Sequence, residues 1–324
     1  MRITVLASGS KGNATVVSSS RTRLLVDAGL SCRELLRRMA ISGENPETLD
    51  AILITHEHID HVAGLAVLAR RLRIPVFFTE PTHRAWVRML TPRTTMTYAK
   101  WLDHIQQEKA AKAAAAEELE TLPNRSDDPA ATLELPVEEA VEDAAESTPP
   151  SRKQDPAYLP AVEYFRAGTD FSIGDIAVSP FTIPHDAADP CGFVFESAGV
   201  RTALATDLGY MPPNVKAALK RIDLLLLESN HDLEMLRDGP YPWSVKQRVL
   251  SRVGHLSNEA TAEFLQKDYD GGAHTIILGH LSESNNVPEL ALLAAEQALG
   301  NRMRLLGNRI LIARQSEPLE SVQL

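Results

Sequence analysis

The 324-residue chain has room for one large domain or two ordinary ones, and its 44% hydrophobic residues can bury a sizeable core. Lys and Arg number 33 against 43 Asp and Glu, and the formal charge of −10 argues against a surface built wholly to hold nucleic acid, while leaving room for a local basic groove. Two cysteines, Cys32 and Cys191, exclude a disulfide framework and a Cys-x-x-Cys knuckle; no apolar run suits a secretory leader or a membrane span, so a cytoplasmic protein is expected.

In chain order, Arg2–Ala7, Ala14–Ser18 and Arg23–Asp27 are short β-branched or Leu-rich runs broken by Gly and Ser, the pattern of a hairpin meander. Cys32–Met39 reads as a helix, Ala51–Thr55 as a buried strand, Val62–Leu72 as a helix with a Leu and Ala face, and Pro75–Thr79 as a further strand. From Leu102 to Ala157 there is no Phe, Tyr, Trp or Gly, and between Glu117 and Glu146 eleven acidic residues face one basic residue, Arg125. That window carries the whole net charge, so the rest of the chain is formally neutral. Such a composition cannot offset the entropy of ordering, and residues 102–157 are expected to form an inserted, disordered acidic arm. Its first part, QQEKAAKAAAAEELE, favours a helix continuing from the Trp86–Trp101 region until Pro123. A tolerated insertion is preferred over a partner-docking arm or an acidic nucleic-acid mimic.

Beyond the arm, Tyr164–Ile183 and Cys191–Ser197 read as antiparallel strands, followed by Arg201–Thr206, Asp223–Glu228, helices, and a final strand at Thr275–Leu278. Mixed sheets with helices outside them predict two sheets packed face to face between helical layers, an α+β fold over residues 1–324 as a single domain. No internal sequence repeat is evident.

The chemistry-bearing segment follows the AILIT strand: Thr55-His56-Glu57-His58-Ile59-Asp60-His61. Residues two apart in an extended segment point the same way, so His56 and His58 can reach one cation, while the turn into the next helix swings Asp60 and His61 toward a second. Three further ligand types end apolar runs: His185 in IPHDAADP, Asp207 in ATDLG and His280 in ILGH. Imidazole suits zinc, and mixed imidazole and carboxylate sites also accept manganese or iron.

In this order the motifs resemble the metallo-β-lactamase superfamily over nearly the whole chain apart from the arm. The resemblance implies a four-layer αββα sandwich with two divalent metal ions: one held by His56, His58 and His185, the other by Asp60, His61 and His280, with Asp207 bridging. It also implies a hydroxide shared by both ions as nucleophile, oriented by Asp60. The redox-active di-iron branch typically has Glu at the place of His58, which favours hydrolysis over electron transfer. The segment Ile183-Pro184-His185-Asp186-Ala187 departs from the Thr-Pro-Gly-His type of the glyoxalase II and lactonase relatives, lowering the small-thioester reading.

SGSKGNA, THEHIDH, PHDA, ATDLG, LLLESNHD, GHLSNEA and GHLSESNN together resemble the YycJ/WalJ family. That family is associated with 5′-to-3′ exonuclease action on double-stranded DNA and is similar to the tRNA-processing endonucleases of the superfamily. By similarity with those endonucleases, Glu228 and His255 are a candidate catalytic pair, with Glu228 orienting His255 as the acid that protonates the leaving oxygen. Ser257 or Asn258 is expected to cap the next helix.

Ser8-Gly9-Ser10-Lys11-Gly12-Asn13 lacks the spacing of a phosphate loop and reads as a tight hairpin near the site, with Ser10, Lys11 and Asn13 as candidate substrate contacts. Asn285 and Asn286, after His280, have the same standing. His231 and Asp232 fit a site mouth or a plain loop equally; His83, His104 and His274 have no companion pattern, and Cys32 and Cys191 read as packing residues.

The expected function is a cytoplasmic di-metal phosphodiesterase acting on DNA. A hydrolase of a small ester, lactone or cyclic phosphodiester on the same metals is the alternative, favoured by a deep apolar pocket without a basic track. A non-catalytic partner protein docking through the arm is the third, separable by deleting residues 102–157.

Overall fold

The computed structural model describes residues 1–91, 102, 155–300 and 309–324. The expected disordered arm, its helix and His104 lie outside the described residues, apart from Leu102 and residues 155–157. The three residues at the arm's end are anchored: Arg70 donates to the carbonyls of Asp155, Pro156 and Tyr158, and Ala157 packs on the first core.

Two seven-stranded mixed sheets form the centre. The first contains β1 (Arg2–Ala7), β2 (Ala14–Ser18), β3 (Arg23–Val26), β4 (Ala51–Leu53), β5 (Val76–Phe78) and β6 (Val162–Tyr164), with β14 (Val322–Gln323) on the outer side of β1. The second runs β13 (Arg309–Ile312), β12 (Thr275–Gly279), β11 (Leu224–Glu228), β10 (Val200–Ala205), β9 (Cys191–Ser197), β8 (Ile176–Thr182) and β7 (Phe171–Ile173). Each sheet joins an antiparallel meander to a parallel half: β1–β2–β3 and then β3–β4–β5–β6 in one, β7–β8–β9–β10 and then β10–β11–β12–β13 in the other. The two halves thus share a plan of which the sequence shows no trace.

Helices α1 (Cys32–Ile41), α2 (Ile59–Val62), α3 (Leu65–Leu72) and α4 (Glu80–Leu90) belong to the first half of the chain; α5 (Pro213–Ala218), α6 (Leu233–Asp238), α7 (Trp243–Val249), α8 (Asn258–Lys267) and α9 (Pro288–Leu299) belong to the second. The layers follow from strand periodicity. In β11, Leu224 and Leu226 face inward against Phe193, Phe195 and the Ile3, Val5 and Leu24 side of the first sheet. Their neighbours Leu225 and Leu227 face outward onto Val215, Phe264, Leu265 and Ala295. On the first sheet Ala51 and Leu53 face inward, while Ile52 and Ile54 pack against Leu35, Met39, Leu68 and Trp86. Each fully buried Leu or Ile stabilises by roughly 1.5–3 kcal/mol at most, and the three clusters make the αββα sandwich. No helix among the described residues is long and apolar enough to cross a membrane.

Three expectations are corrected. The helix expected over Val62–Leu72 breaks at Ala63 and Gly64, because Gly64 approaches the Leu30 carbonyl too closely for any Cβ. The run Tyr164–Ile183 divides between the sheets: β6 pairs with β5, and the turn at Gly168 separates it from the β7–β8 hairpin, which itself turns at Gly174. Thr275–Leu278 is not the final strand, since β13 extends the second sheet and β14 adds to the edge of the first.

Candidate metal centre

The chemistry collects where strands end. Residues Asp27, His56, Asp207 and His280 directly or nearly follow β3, β4, β10 and β12, and Glu228 closes β11. Asp27, Asp207 and His280 adopt left-handed backbone with φ of 61°, 61° and 57°. Each such turn in a non-glycine residue costs on the order of 1 kcal/mol or more.

After β4 the chain bends at Thr55 and runs without regular structure to His58, which stands at the N-terminus of α2 with φ −59° and ψ 148°. His56 and His58 come together with His185, whose Nε2 lies 3.3 Å from His58 Nδ1. The α2 turn carries Asp60 and His61 onto a second group. His61 Nε2 lies 3.5 Å from Asp60 Oδ2 and 3.4 Å from Asp207 Oδ2, and His280 Nε2 lies 3.7 Å from Asp60 Oδ2. Asp207 stands between the groups, its Oδ1 3.9 Å from His185 Nε2 and 3.5 Å from His280 Nδ1. His56–His58–His185 and Asp60–His61–His280 each bring three ligand atoms close enough to share one cation, and His56–His61–Asp207 links them.

The free ring nitrogens are fixed from behind. Asp27 Oδ2 accepts from His61 Nδ1 at 2.8 Å, and the same carboxylate accepts from the Thr55 amide and hydroxyl. Thr55 Oγ1 lies 3.0 Å from His56 Nδ1, and Gly254 O accepts from His185 Nδ1 at 3.2 Å. Ser8 Oγ accepts from the His280 backbone amide at 2.7 Å. Asn13 Nδ2 donates to Asp60 Oδ2 at 3.3 Å and lies 3.0 Å from His61 Nε2.

Glu228 is fully buried and joins two rings: its Oε1 accepts from His255 Nδ1 and from His280 Nδ1, both at 2.8 Å. Its Oε2 accepts from the amides of Leu208 and Leu256. Burial alone would raise this carboxyl, yet His255 and His280 hold it well below the usual carboxylate range. Asp60 is likewise drawn down against burial, by His61 and His280.

Divalent ions suit these residues. His56 Nε2, Asp207 Oδ2 and His280 Nε2 are buried without hydrogen-bond partners, and a buried unsatisfied polar atom costs ~1–3 kcal/mol. Three such atoms among imidazoles and carboxylates are what a bound cation would satisfy. Burial and the neighbouring His61, His185 and His58 keep His56 well below the usual imidazole range, in the neutral form a metal needs. His280 behaves oppositely: burial opposes its charge, but Asp207, Asp60 and Glu228 raise it to about 10, so an ion there would displace a proton.

The candidate substrate contacts fare differently. Ser10 is exposed and lines the cleft, while exposed Lys11 is ion-paired with Glu283. Asn13 is buried and positions Asp60 and His61 rather than facing substrate, so the glycine-rich turn is a hairpin that orients ligands. Asn285 and Asn286 are buried as well: Asn286 Nδ2 donates to Ser229 O, Asn230 O and Asn258 Oδ1, and Asn285 Nδ2 to Ser282 Oγ. Asn286 thus ties loops together beneath the site, while Asn285 bonds within its own loop and keeps a buried Oδ1 without a partner.

Asp232 caps α6 and Ser257 caps α8. His83 bonds Tyr164 and His274 bonds Thr275, both away from the cleft, and both cysteines are buried and free. Sequence reasoning missed Asp27, Thr55 and Ser8, and also the wall formed by Tyr241, Val245 and Arg248, the last paired with Asp186. A carboxylate ending the apolar run LLVD was the available signal for Asp27.

Residues 7–280 match the family described as the metallo-beta-lactamase superfamily. The chain is 33% identical over 290 residues to the exodeoxyribonuclease WalJ of Streptococcus pneumoniae, covering 90% of this chain and 85% of that one. It is 33% identical over 299 residues to the exodeoxyribonuclease YycJ of Bacillus anthracis, covering 92% and 89%. Among solved structures, the metallo-beta-lactamase fold protein YhfI from Bacillus subtilis superposes with a TM-score of 0.58 over 98% of this chain and 99% of that one; at 13% identity, this likeness concerns the fold alone.

Proposed function

The chain belongs to the metallo-beta-lactamase superfamily, and from that premise we propose that it is a di-metal phosphodiesterase that shortens double-stranded DNA from its 5′ ends. The observation that carries this reading is the Glu228 carboxylate that joins His255 to His280, because it sets a proton donor beside a metal-type ligand cluster. Identity to two proteins named exodeoxyribonucleases supports DNA as the substrate. A cytoplasmic location, beside that substrate and in keeping with two free buried cysteines, is part of the same reading.

His56, His58 and His185 would hold one divalent ion and Asp60, His61 and His280 the other, with Asp207 shared; zinc suits the imidazoles, and manganese or iron is the alternative. Such ions supply Lewis acidity toward phosphate oxygens and lower the pKa of water toward neutrality. Asp60, held ionised, accepts a hydrogen bond from the attacking hydroxide or water and so orients it. His255 donates a proton from the ring nitrogen opposite Glu228 to the leaving oxygen, and Glu228 stabilises the imidazolium beforehand. Asp27, Thr55, Ser8 and Asn13 keep the ligands in place, so that little reorganisation is needed during reaction.

The substrate class is tested by supplying divalent ions and comparing end-labelled double-stranded DNA, single-stranded DNA, RNA and small esters. Progressive loss of nucleotides from 5′ ends of duplex DNA is expected. Turnover of esters or cyclic phosphodiesters with none on DNA would assign the cleft to the small-molecule alternative.

A further inference from the structure

His255 borders two cavities. One is the metal cleft, about 250 Å³, which also contains His58, Asp60 and Asp207. The other, about 390 Å³, lies between the 209–211 loop and α8. Small-molecule sites span ~300–1,000 Å³, so this second cavity is of a size for one nucleotide.

Its lining has the chemistry for a nucleobase. Met211, Leu256 and Phe264 make apolar walls, and Tyr210 offers a ring braced by the Arg252 guanidinium 4.2 Å from its centroid. Such rings stack on any base without reading sequence. One buried polar group lacks a partner: His231 is 1% exposed, lines the cavity, and its Nε2 has no hydrogen bond. Its Nδ1 faces Asn230 Oδ1, which accepts from it at 3.3 Å and leaves Nε2 as the acceptor. Burial keeps this imidazole neutral, down at about 4. Every DNA base carries at least one N–H on its pairing edge, so an acceptor here tolerates all four.

We propose that this second cavity receives the 5′-terminal nucleotide of the strand being cut, with its base against Tyr210 and Met211 and its edge donating to His231 Nε2. The placement rests on the reading that His255 protonates the leaving oxygen, for the departing group must then lie on the His255 side. The oxygen of a hydroxide, oriented by Asp60, bonds to phosphorus. The P–O3′ bond breaks, its electron pair stays on O3′, and O3′ takes the proton from His255. The terminal nucleotide leaves with a 3′-hydroxyl, and the shortened strand keeps the phosphate as its new 5′ end.

The test is equilibrium binding of dAMP and dTMP to full-length protein stripped of metal by chelation, which separates the cavity from the metal ligands. Wild type should bind both. Ala260→Trp, filling the cavity from α8, and Leu250→Glu, placing a carboxylate on its half-exposed wall, should each weaken both by about tenfold or more, with melting temperature recording whether each variant folds. Undiminished binding in folded Leu250→Glu, or no binding by wild type, would overturn the proposal. Wild type that binds both nucleotides and yet, with metal restored, cuts no DNA would instead contradict the nuclease reading and leave a nucleotide site.

Discussion

Glu228 Oε1 lies 2.8 Å from Nδ1 of His255 and accepts its hydrogen bond, and the same oxygen accepts an equal bond from His280. One buried carboxylate thus governs both the proposed leaving-group acid and a proposed metal ligand. His255→Ala is expected to keep two ions per chain by elemental analysis while slowing DNA hydrolysis by about 10²–10⁴. The loss should shrink on a nitrophenyl phosphodiester, whose leaving oxygen needs no proton. Glu228→Gln should affect both functions, lowering metal content as well as turnover, because an amide cannot stabilise both rings. Equal loss on both substrates in His255→Ala would place His255 in binding rather than proton transfer.

Asp27 touches no substrate, yet its carboxylate fixes His61 Nδ1 and the Thr55 backbone and hydroxyl. Asp27→Asn is expected to weaken metal binding by about 10- to 100-fold, measured by competition against a chromophoric chelator. An unaltered affinity would mean that His61 is held by its other contacts.

Gly29 passes so close to the Asp60 carbonyl that an added Cβ would overlap it, and it also approaches the Asn13 amide. Gly29→Ala must therefore push the His-x-His-x-Asp-His loop away from the hairpin that braces it. Loss of the second ion and a lower unfolding midpoint in urea are expected together. Wild-type metal content in this variant would show that the loop can shift without cost.

Glu34 on α1 accepts hydrogen bonds from Arg37 and then Arg38, which hold its carboxyl down at about 2, and Arg38 in turn donates to Leu6 O and Gln315 O. The folded value lies below the unfolded one, near 4.5, so the stabilisation is complete above about pH 4.5 and fades as pH falls toward about 2. Solvent screens the pair, so the effect on melting temperature should be small. Glu34→Gln should flatten melting temperature against pH in that window; an unchanged slope would show the pairing contributes nothing.

Most of the candidate cluster that the structure brings together was legible, because ligand-type residues crowd six positions of one segment, His56 to His61, and recur at the ends of apolar runs at His185, Asp207 and His280. Glu228 and His255 were legible only through family likeness, since nothing local links residues 27 apart. The burial of Asn13, Asn285 and Asn286 was not legible, because an amide near a motif in sequence looks the same whether it faces the cleft or packs inside the fold. Asp27 escaped notice since one carboxylate after a strand resembles an ordinary turn. In the fold, the layers followed from alternation in β4 and β11, whereas β13 and β14 were overlooked in a C-terminal stretch whose partners lie far away in sequence.

The most direct test of the di-metal assignment measures 5′-end nucleotide release from duplex DNA by wild type and Asp207→Ala, each after chelation and again after divalent ions are restored. Asp207 stands between the two ligand groups, so wild type should lose activity on chelation and regain it with metal, while Asp207→Ala should stay inactive and carry fewer than two ions. Nuclease activity that survives chelation in wild type, or that returns undiminished in Asp207→Ala, would contradict the assignment of this cleft.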